Sequence, residues 1–243
     1  MSQTSSQTDM LIRRLSKSTR LSEHELQDLR TLPVTIRETG KNETISREGD
    51  RVDHCILIVE GLLARFLDTR DGKRQILSIF VPGDIPDLQS LHLPTMDHNL
   101  CSIVPARVGA IPHRALAALC DRNPRLAAAL WRETLIEGSV TRRWVHCLGR
   151  LTARQRVAHM LCELYVRLDA VGLAGEPIRL MTQQDMADAM GLSFVQINRT
   201  LRDLRSEGLI TIERRYMTID LPRLQEVANF DPLYLHLDPE TRG

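Results

Sequence analysis

The sequence predicts an α+β chain in three parts: an N-terminal β-roll of jelly-roll type, one long helix, and a C-terminal winged helix-turn-helix. Three observations predict it. Residues 33–112 break into short β-like runs separated by turn signals. From Pro124 to about Leu148 no proline interrupts a helical pattern. Residues 182–207 read as two short capped helices joined by a glycine turn.

Composition sets the bounds. A chain of 243 residues, 42% hydrophobic and 26% charged, can build more than one globular core. Aromatics are only 4%, so the cores rest on aliphatic side chains. The net charge of +1 excludes a uniformly basic nucleic-acid binder, so any such role needs a local patch. The polar start "MSQTSSQTDM" lacks a signal-peptide apolar region, and no apolar run reaches the ~20 residues that span a bilayer. A cytoplasmic protein without membrane contact is expected. Cys55, Cys101, Cys120, Cys147 and Cys162 are scattered, which reads as reduced thiols rather than a zinc site.

The elements follow in order. Residues 9–32 carry helical spacing, and Ser22 with Glu25 can form a capping box. In the β-like region "REGD", "RDGK" and "VPGD" are turns, and Asp71-Gly72 closes a hairpin with positive φ. Asn123-Pro124 is a cap followed by a first-turn proline. The long helix is apolar on more than one side, through Leu126, Leu130 and Trp131 and through Val140, Trp144, Leu148 and Leu151. Such a helix either lies on its own domain or pairs with a second copy, and pairing is expected, with Leu130, Val140, Trp144 and Leu148 as the pairing residues. Gly149 and Thr152 mark a hinge, and Gly172, Gly175 and Pro177 a later loop. The expected domains are 1–122 (helices and roll), 123–151 (long helix and hinge) and 152–243 (winged helix-turn-helix).

In the last domain Thr182 with Asp185 and Ser193 with Gln196 form capping boxes, and Gly191 suits the turn between the helices. "LITIERRYMTI" is a hairpin wing with its tip at Glu213 to Tyr216. The exposed face of the second helix carries Ser193, Phe194, Val195, Gln196, Asn198, Arg199 and Arg202, with Thr182 at the start of the first. Ser193 and the first-turn N–H groups can hold phosphate. Arg199 can reach guanine O6/N7, and Gln196 adenine N6/N7. Arg202 and Arg205 have a competing reading as solvated charges paired with Asp203 and Glu207.

Over about residues 30–220 the chain resembles the Crp/Fnr family of bacterial transcription regulators. The marks are "REGD", "VEG" and "VPGD" in a cyclic-nucleotide-binding-like roll, "AIPH" before the long helix, and "MTQQDMADAMGLSFVQINRTLRDLRSEGLI". The resemblance implies a homodimer through the long helix, a palindromic double-stranded DNA operator with half-sites roughly 34 Å apart, and RNA polymerase as a partner. Phe194 and Val195 stand where many relatives have polar base-reading residues, so the operator should depart from the usual family sequence, through thymine-methyl contacts.

Relatives that bind cyclic AMP carry a Gly-Glu-Leu segment and an Arg-Ser pair after the "PGD" turn. Here the segment is "PGDIPDLQSLHLPTMDHNLCSI", with Asp87 in the acidic place and Asp97-His98 near the Arg-Ser place. No arginine lies between Arg74 and Arg107. Asp97 would repel a cyclic phosphate, so control by cyclic nucleotide is not expected. The family's iron–sulfur variant needs an N-terminal cysteine cluster, and no cysteine precedes Cys55. His54, His92, His98 and His113 are conceivable heme ligands, but surface or structural roles are commoner, and no cofactor or metal is assigned. Asp97 orienting His98 lacks a nucleophile, so no catalytic residue is assigned and an enzyme is not expected. The alternative is a small-molecule, heme or redox sensing regulator that needs an unidentified effector.

Overall fold

The computed structural model describes residues 7–173, 178–179 and 181–238. Two helices open it, α1 (Asp9–Ser18) and α2 (Glu23–Arg30). Ser22 caps α2 as its sequence requires: its hydroxyl accepts from Glu25 N, and Glu25 Oε2 accepts from Ser22 N at 2.7 Å.

The roll follows: β1 (Thr35–Thr39), β2 (Thr44–Ser46), β3 (His54–Glu60), β4 (Leu63–Asp68), β5 (Arg74–Phe80), β6 (Asn99–Ser102) and β7 (Ala106–Pro112). They form two antiparallel sheets, in the orders β1-β7-β3 and β2-β6-β4-β5. Ile56, Ile58 and Val108 from one sheet meet Leu63, Phe80 and Leu100 from the other in a shared core. The β4–β5 hairpin differs from expectation in its turn. Only Gly72 has positive φ (78°), and Gly72 N donates to Thr69 O at 2.9 Å while Thr69 N donates to Lys73 O. This is a type I turn closed by a glycine bulge, with Asp71 left in the ordinary region.

The "VPGD" turn is a docking point. A Cβ on Gly83 would lie 2.6 Å from Met10 O, so only glycine lets α1 seat on this turn. Close by, Asp87 is fully buried and accepts from Ile56 N at 2.7 Å.

After α3 (His113–Arg122) comes α4 (Pro124–Arg150), 27 residues capped by Asn123, whose side chain accepts from Leu126 N. Leu151 is extended and ends it, and Thr152 with Gln155 restarts the chain as α5 (Ala153–Ala170) through a capping box. The expected loop through Gly175 and Pro177 lies outside the described residues. The last domain comprises β8 (Ile178–Arg179), α6 (Gln183–Met190), α7 (Phe194–Ser206), β9 (Ile210–Glu213), β10 (Tyr216–Ile219) and α8 (Leu221–Ala228). β10 pairs with both β9 and β8, so the wing is a three-stranded sheet rather than a bare hairpin. A short 3-10 turn, Pro232–Leu235, then packs Tyr234 and Leu235 back into the core. No described helix is long and apolar enough to cross a membrane.

Burial corrects the reading of α4. Leu130, Val140 and Trp144 are not pairing residues but parts of the chain's own core. Leu130 packs with Leu11, Leu88 and Leu126, while Val140 and Trp144 join the core with Ile79 and Leu161. Leu148 turns toward the helix-turn-helix, its Cδ2 3.6 Å from where a Cβ on Gly191 would stand. The outward stripe is different: Ala128, Trp131, Leu135, Arg142, Val145 and Gly149 are exposed, and with half-buried Gly138 they alternate four and three residues apart. The error has a simple source. Both stripes have helical period, and only the docking of the roll and α5 selects which one is covered.

Burial pushes the Asp87 carboxyl up to about 7, against the hydrogen bond from Ile56 N that lowers it. Its native value lies above the ~3.9 of an unfolded chain. The stability it supplies is therefore complete below about pH 4 and lost as pH rises through about 7. Asp87→Asn keeps an acceptor for Ile56 N and should flatten that slope. Urea unfolding at about pH 5 and about pH 8 should show the variant gaining on the parent at the higher pH. An equal difference at both would refute this role.

Candidate nucleic-acid interface

The helix pair is built as its sequence dictates. Thr182 caps α6, accepting from Asp185 N, while Asp185 Oδ2 accepts from Thr182 N at 2.9 Å. Gly191 ends α6 at φ 60°, a left-handed position suited to glycine. Ser193 caps α7 by accepting from Gln196 N at 3.2 Å. Met186, Ala187, Met190, Ile197, Leu201 and Leu204 are buried between α6, α7 and α5. Arg156 pins the pair to the hinge by donating to Met190 O and Leu151 O.

The outer face of α7 carries Ser193, Phe194, Val195, Gln196, Asn198, Arg199 and Arg202, all exposed, and Thr182 is exposed beside them. Arg199 is 77% exposed, with Asp203 at 4.0 Å, too loose a pair to hold it from a base edge. Arg202 and Arg205 have no described carboxylate within ion-pair reach. Glu207, a candidate partner for Arg205, is instead taken by both Nη atoms of Arg154 at 2.5 and 2.6 Å. At the wing tip Arg214 and Arg215 are exposed, and Arg214 takes φ 54° to close the turn.

Gln196 also has a structural role. Gln196 Oε1 accepts from Ser193 N at 2.9 Å, completing the capping box. The amide oxygen keeps a second lone pair and Nε2 its two donors, so the exposed Gln196 side chain retains the groups that a bidentate adenine contact uses. Asn198 donates to Gln183 Oε1 at 3.2 Å, tying α7 to α6.

The roll carries a second feature. A hollow of about 390 Å³ lies between it and α4, lined by Arg65, Leu77, Gln89, Asp97, His98 and Glu137 among others. Asp97 and His98 sit there as expected, but Asp87 does not line it. The arginine missing from residues 75–106 is supplied by Arg65 on β4. Its guanidinium donates to Glu137 and to Pro86 O, and its Nε donates to His98 Nε2 at 3.0 Å. His98 Nδ1 therefore carries the proton and donates to Asp97 Oδ1 at 2.5 Å. Burial and then the Arg65 charge hold His98 below its usual value. Burial raises the Glu137 carboxyl, and Arg65 opposes that rise. Among the described residues that line the hollow, the one arginine thus already has a carboxylate. Sequence reading missed the pair because strand β4 and helix α4 bring its members together across 72 positions.

Comparison with known proteins decides the family. Residues 36–123 match the cyclic nucleotide-binding domain, and residues 155–227 match the Crp-like helix-turn-helix domain. The chain belongs to the Crp/Fnr family of transcription regulators. It is 25% identical over 230 residues to the transcriptional activator protein FnrL of Cereibacter sphaeroides, covering 92% of both chains. It is likewise 25% identical to the regulatory protein HlyX of Actinobacillus pleuropneumoniae, covering 86% of each. The structure of FixK2 from Bradyrhizobium japonicum superposes with a TM-score of 0.72 at 26% identity, covering 81% of this chain and 98% of that one. As a Crp/Fnr regulator the chain binds DNA through its helix-turn-helix. Within the described residues no His, Cys, Asp and Glu group has the geometry of a metal site.

Because Arg65 holds three acceptors, those of Glu137, Pro86 and His98, Arg65→Ala should destabilise the chain by roughly 1–3 kcal/mol in urea unfolding. Glu137→Gln, which leaves an acceptor for Arg65, should cost less. The reverse order would show that Arg65 is merely solvated.

Proposed function

We propose that this protein is a homodimeric regulator that binds a palindromic operator and is not controlled by cyclic nucleotide. The observation that carries the dimer is the exposed stripe on α4. Trp131, Leu135 and Val145 are 67%, 56% and 66% exposed, against 3% for Trp144 on the opposite face. Ala128, Trp131, Leu135, Gly138, Arg142, Val145 and Gly149 repeat at the 3.5-residue average of a two-helix seam, with Arg142 as its polar break. A two-fold axis along that seam would present two copies of α7 to successive major grooves, about one helical turn apart.

The Arg65–Glu137 pair supports the absence of cyclic nucleotide control. A cyclic phosphate entering the hollow would have to displace Glu137 from Arg65 and would face Asp97 at the rim. The exposed Thr182, Ser193 and Arg202 suit phosphate contacts, and Arg199 a guanine edge. RNA polymerase as a partner rests on family resemblance alone. A second reading, a regulator that needs an unidentified effector, is favoured by the hollow remaining open beside α4.

Selection of duplexes from a random pool tests the main reading. A palindrome enriched equally with and without cyclic AMP is expected. Enrichment only with cyclic AMP would overturn the reading of the hollow. Arg199→Ala should cost roughly 1–3 kcal/mol on the selected site and relax one base preference. An equal loss on nonspecific DNA would make Arg199 a phosphate contact. Leu135→Arg should convert the protein to monomer in light scattering with its unfolding midpoint nearly unchanged, because Leu135 touches none of the chain's own core. Trp144→Ala should instead lower stability by about 3–5 kcal/mol. A dimer that survives Leu135→Arg would refute the seam.

A further inference from the structure

The first turn of α7 presents an unusual surface to DNA. Phe194 is 52% and Val195 75% exposed, while Ile197 and Leu201 of the same helix are buried. They stand at the helix N-terminus, the end that enters the groove in this class of motif. The polar groups around them also serve local structure. Ser193 Oγ and Gln196 Oε1 close the capping box, and Asn198 is held by Gln183. The same face carries Arg199 and Arg202 without tight partners, so it is complementary to a polyanion and not to an apolar protein groove.

We propose that Phe194 and Val195 read the C5-methyl groups of pyrimidines in the major groove. In that groove the C5-methyl is the only apolar feature among the base edges. An exposed valine beside a phenylalanine is suited to cover it. Arg199, one helical turn further on, supplies the hydrogen-bonding contact. The operator half-site should therefore contain at least one thymine read through its methyl group. A 5-methylcytosine places the same methyl in the same place, so it should be preferred over cytosine at that position. This inference rests on the proposed operator-binding reading.

The test replaces each thymine of the selected operator by deoxyuridine, which removes the methyl and keeps the hydrogen-bonding edges. Affinity is measured by fluorescence anisotropy at one fixed salt concentration. At one or two thymines per half-site, binding should weaken about fourfold, the effect of exposing one methyl-sized apolar group. At such a position 5-methylcytosine should bind more tightly than cytosine. Val195→Ala, at a site too exposed to disturb folding, should bind the thymine and deoxyuridine duplexes alike at the position Val195 covers, and Phe194→Ala likewise at its own. Uniform indifference to deoxyuridine in the parent protein would overturn the inference while leaving the regulator reading intact. Deoxyuridine sensitivity unchanged in both variants would assign it to DNA shape and overturn it equally. Failure of the pool to yield any operator would overturn the operator-binding reading and this inference with it.

Discussion

The arrangement of the three parts depends on one buried guanidinium. Arg167 of α5 donates to Asp84 Oδ2 at 2.6 Å, to Ile79 O at 2.8 Å and to Glu163 Oε1 at 3.2 Å. Asp84 belongs to the "VPGD" turn, where it also accepts from Val81 N and from Arg14 of α1. Glu163 accepts from Trp144 Nε1 on α4 and from the Tyr234 hydroxyl. A single cation thus joins the roll, the opening helix, the long helix, the DNA-binding domain and the C-terminal turn. A charge this deeply buried is tolerated only with its partners in place, and removing one of them leaves the rest uncompensated. Such a network adds little net stability over apolar packing, but it admits few alternative geometries.

The surrounding groups keep the network in one protonation state. Burial holds His159 down at about 4, so it stays neutral and donates through Nε2 to the Tyr234 oxygen at 3.0 Å. Burial and the Glu163 charge together push the Tyr234 hydroxyl upward, which keeps its proton on the bond to Glu163. Arg74 of β5 adds a second tie between domains by reaching Asp185 and Asp188 on α6. Asp185 is also the acid of the α6 capping box, so the roll and the start of the helix-turn-helix share one carboxylate. Motion of the DNA-binding domain about Leu151–Thr152 would have to break these contacts together. An effector could drive such motion only by binding one arrangement better than the other.

Much of this was legible in the sequence. The capping boxes at Ser22, Thr182 and Ser193 form as their spacing requires, because a cap is decided by residues three apart. The Asn123-Pro124 start of α4 and the glycine at 191 are equally local. The pairing residues of α4 were not legible. Two apolar stripes on one helix look alike until something packs on one of them. For Gln196 a capping role and a base-reading role were both visible, and the structure shows the first through the hydrogen bond from Ser193 N.

The sequence by itself determined the element order, the helix starts, the family, and the apolar first turn of α7 with its neighbouring arginines. All of these depend on residues adjacent in the chain or on patterns that recur within one element. The tertiary structure alone decided which face of α4 is free, where Asp87 lies, and that Arg65 already has Glu137 as its partner in the hollow. It alone decided that Arg167 joins the "VPGD" turn, β5 and Glu163. Each of these depends on side chains brought together from distant positions, such as Asp84 and Arg167, 83 residues apart. Burial and charge pairing act through space, and no local pattern encodes which distant strand or helix will close over a given side chain.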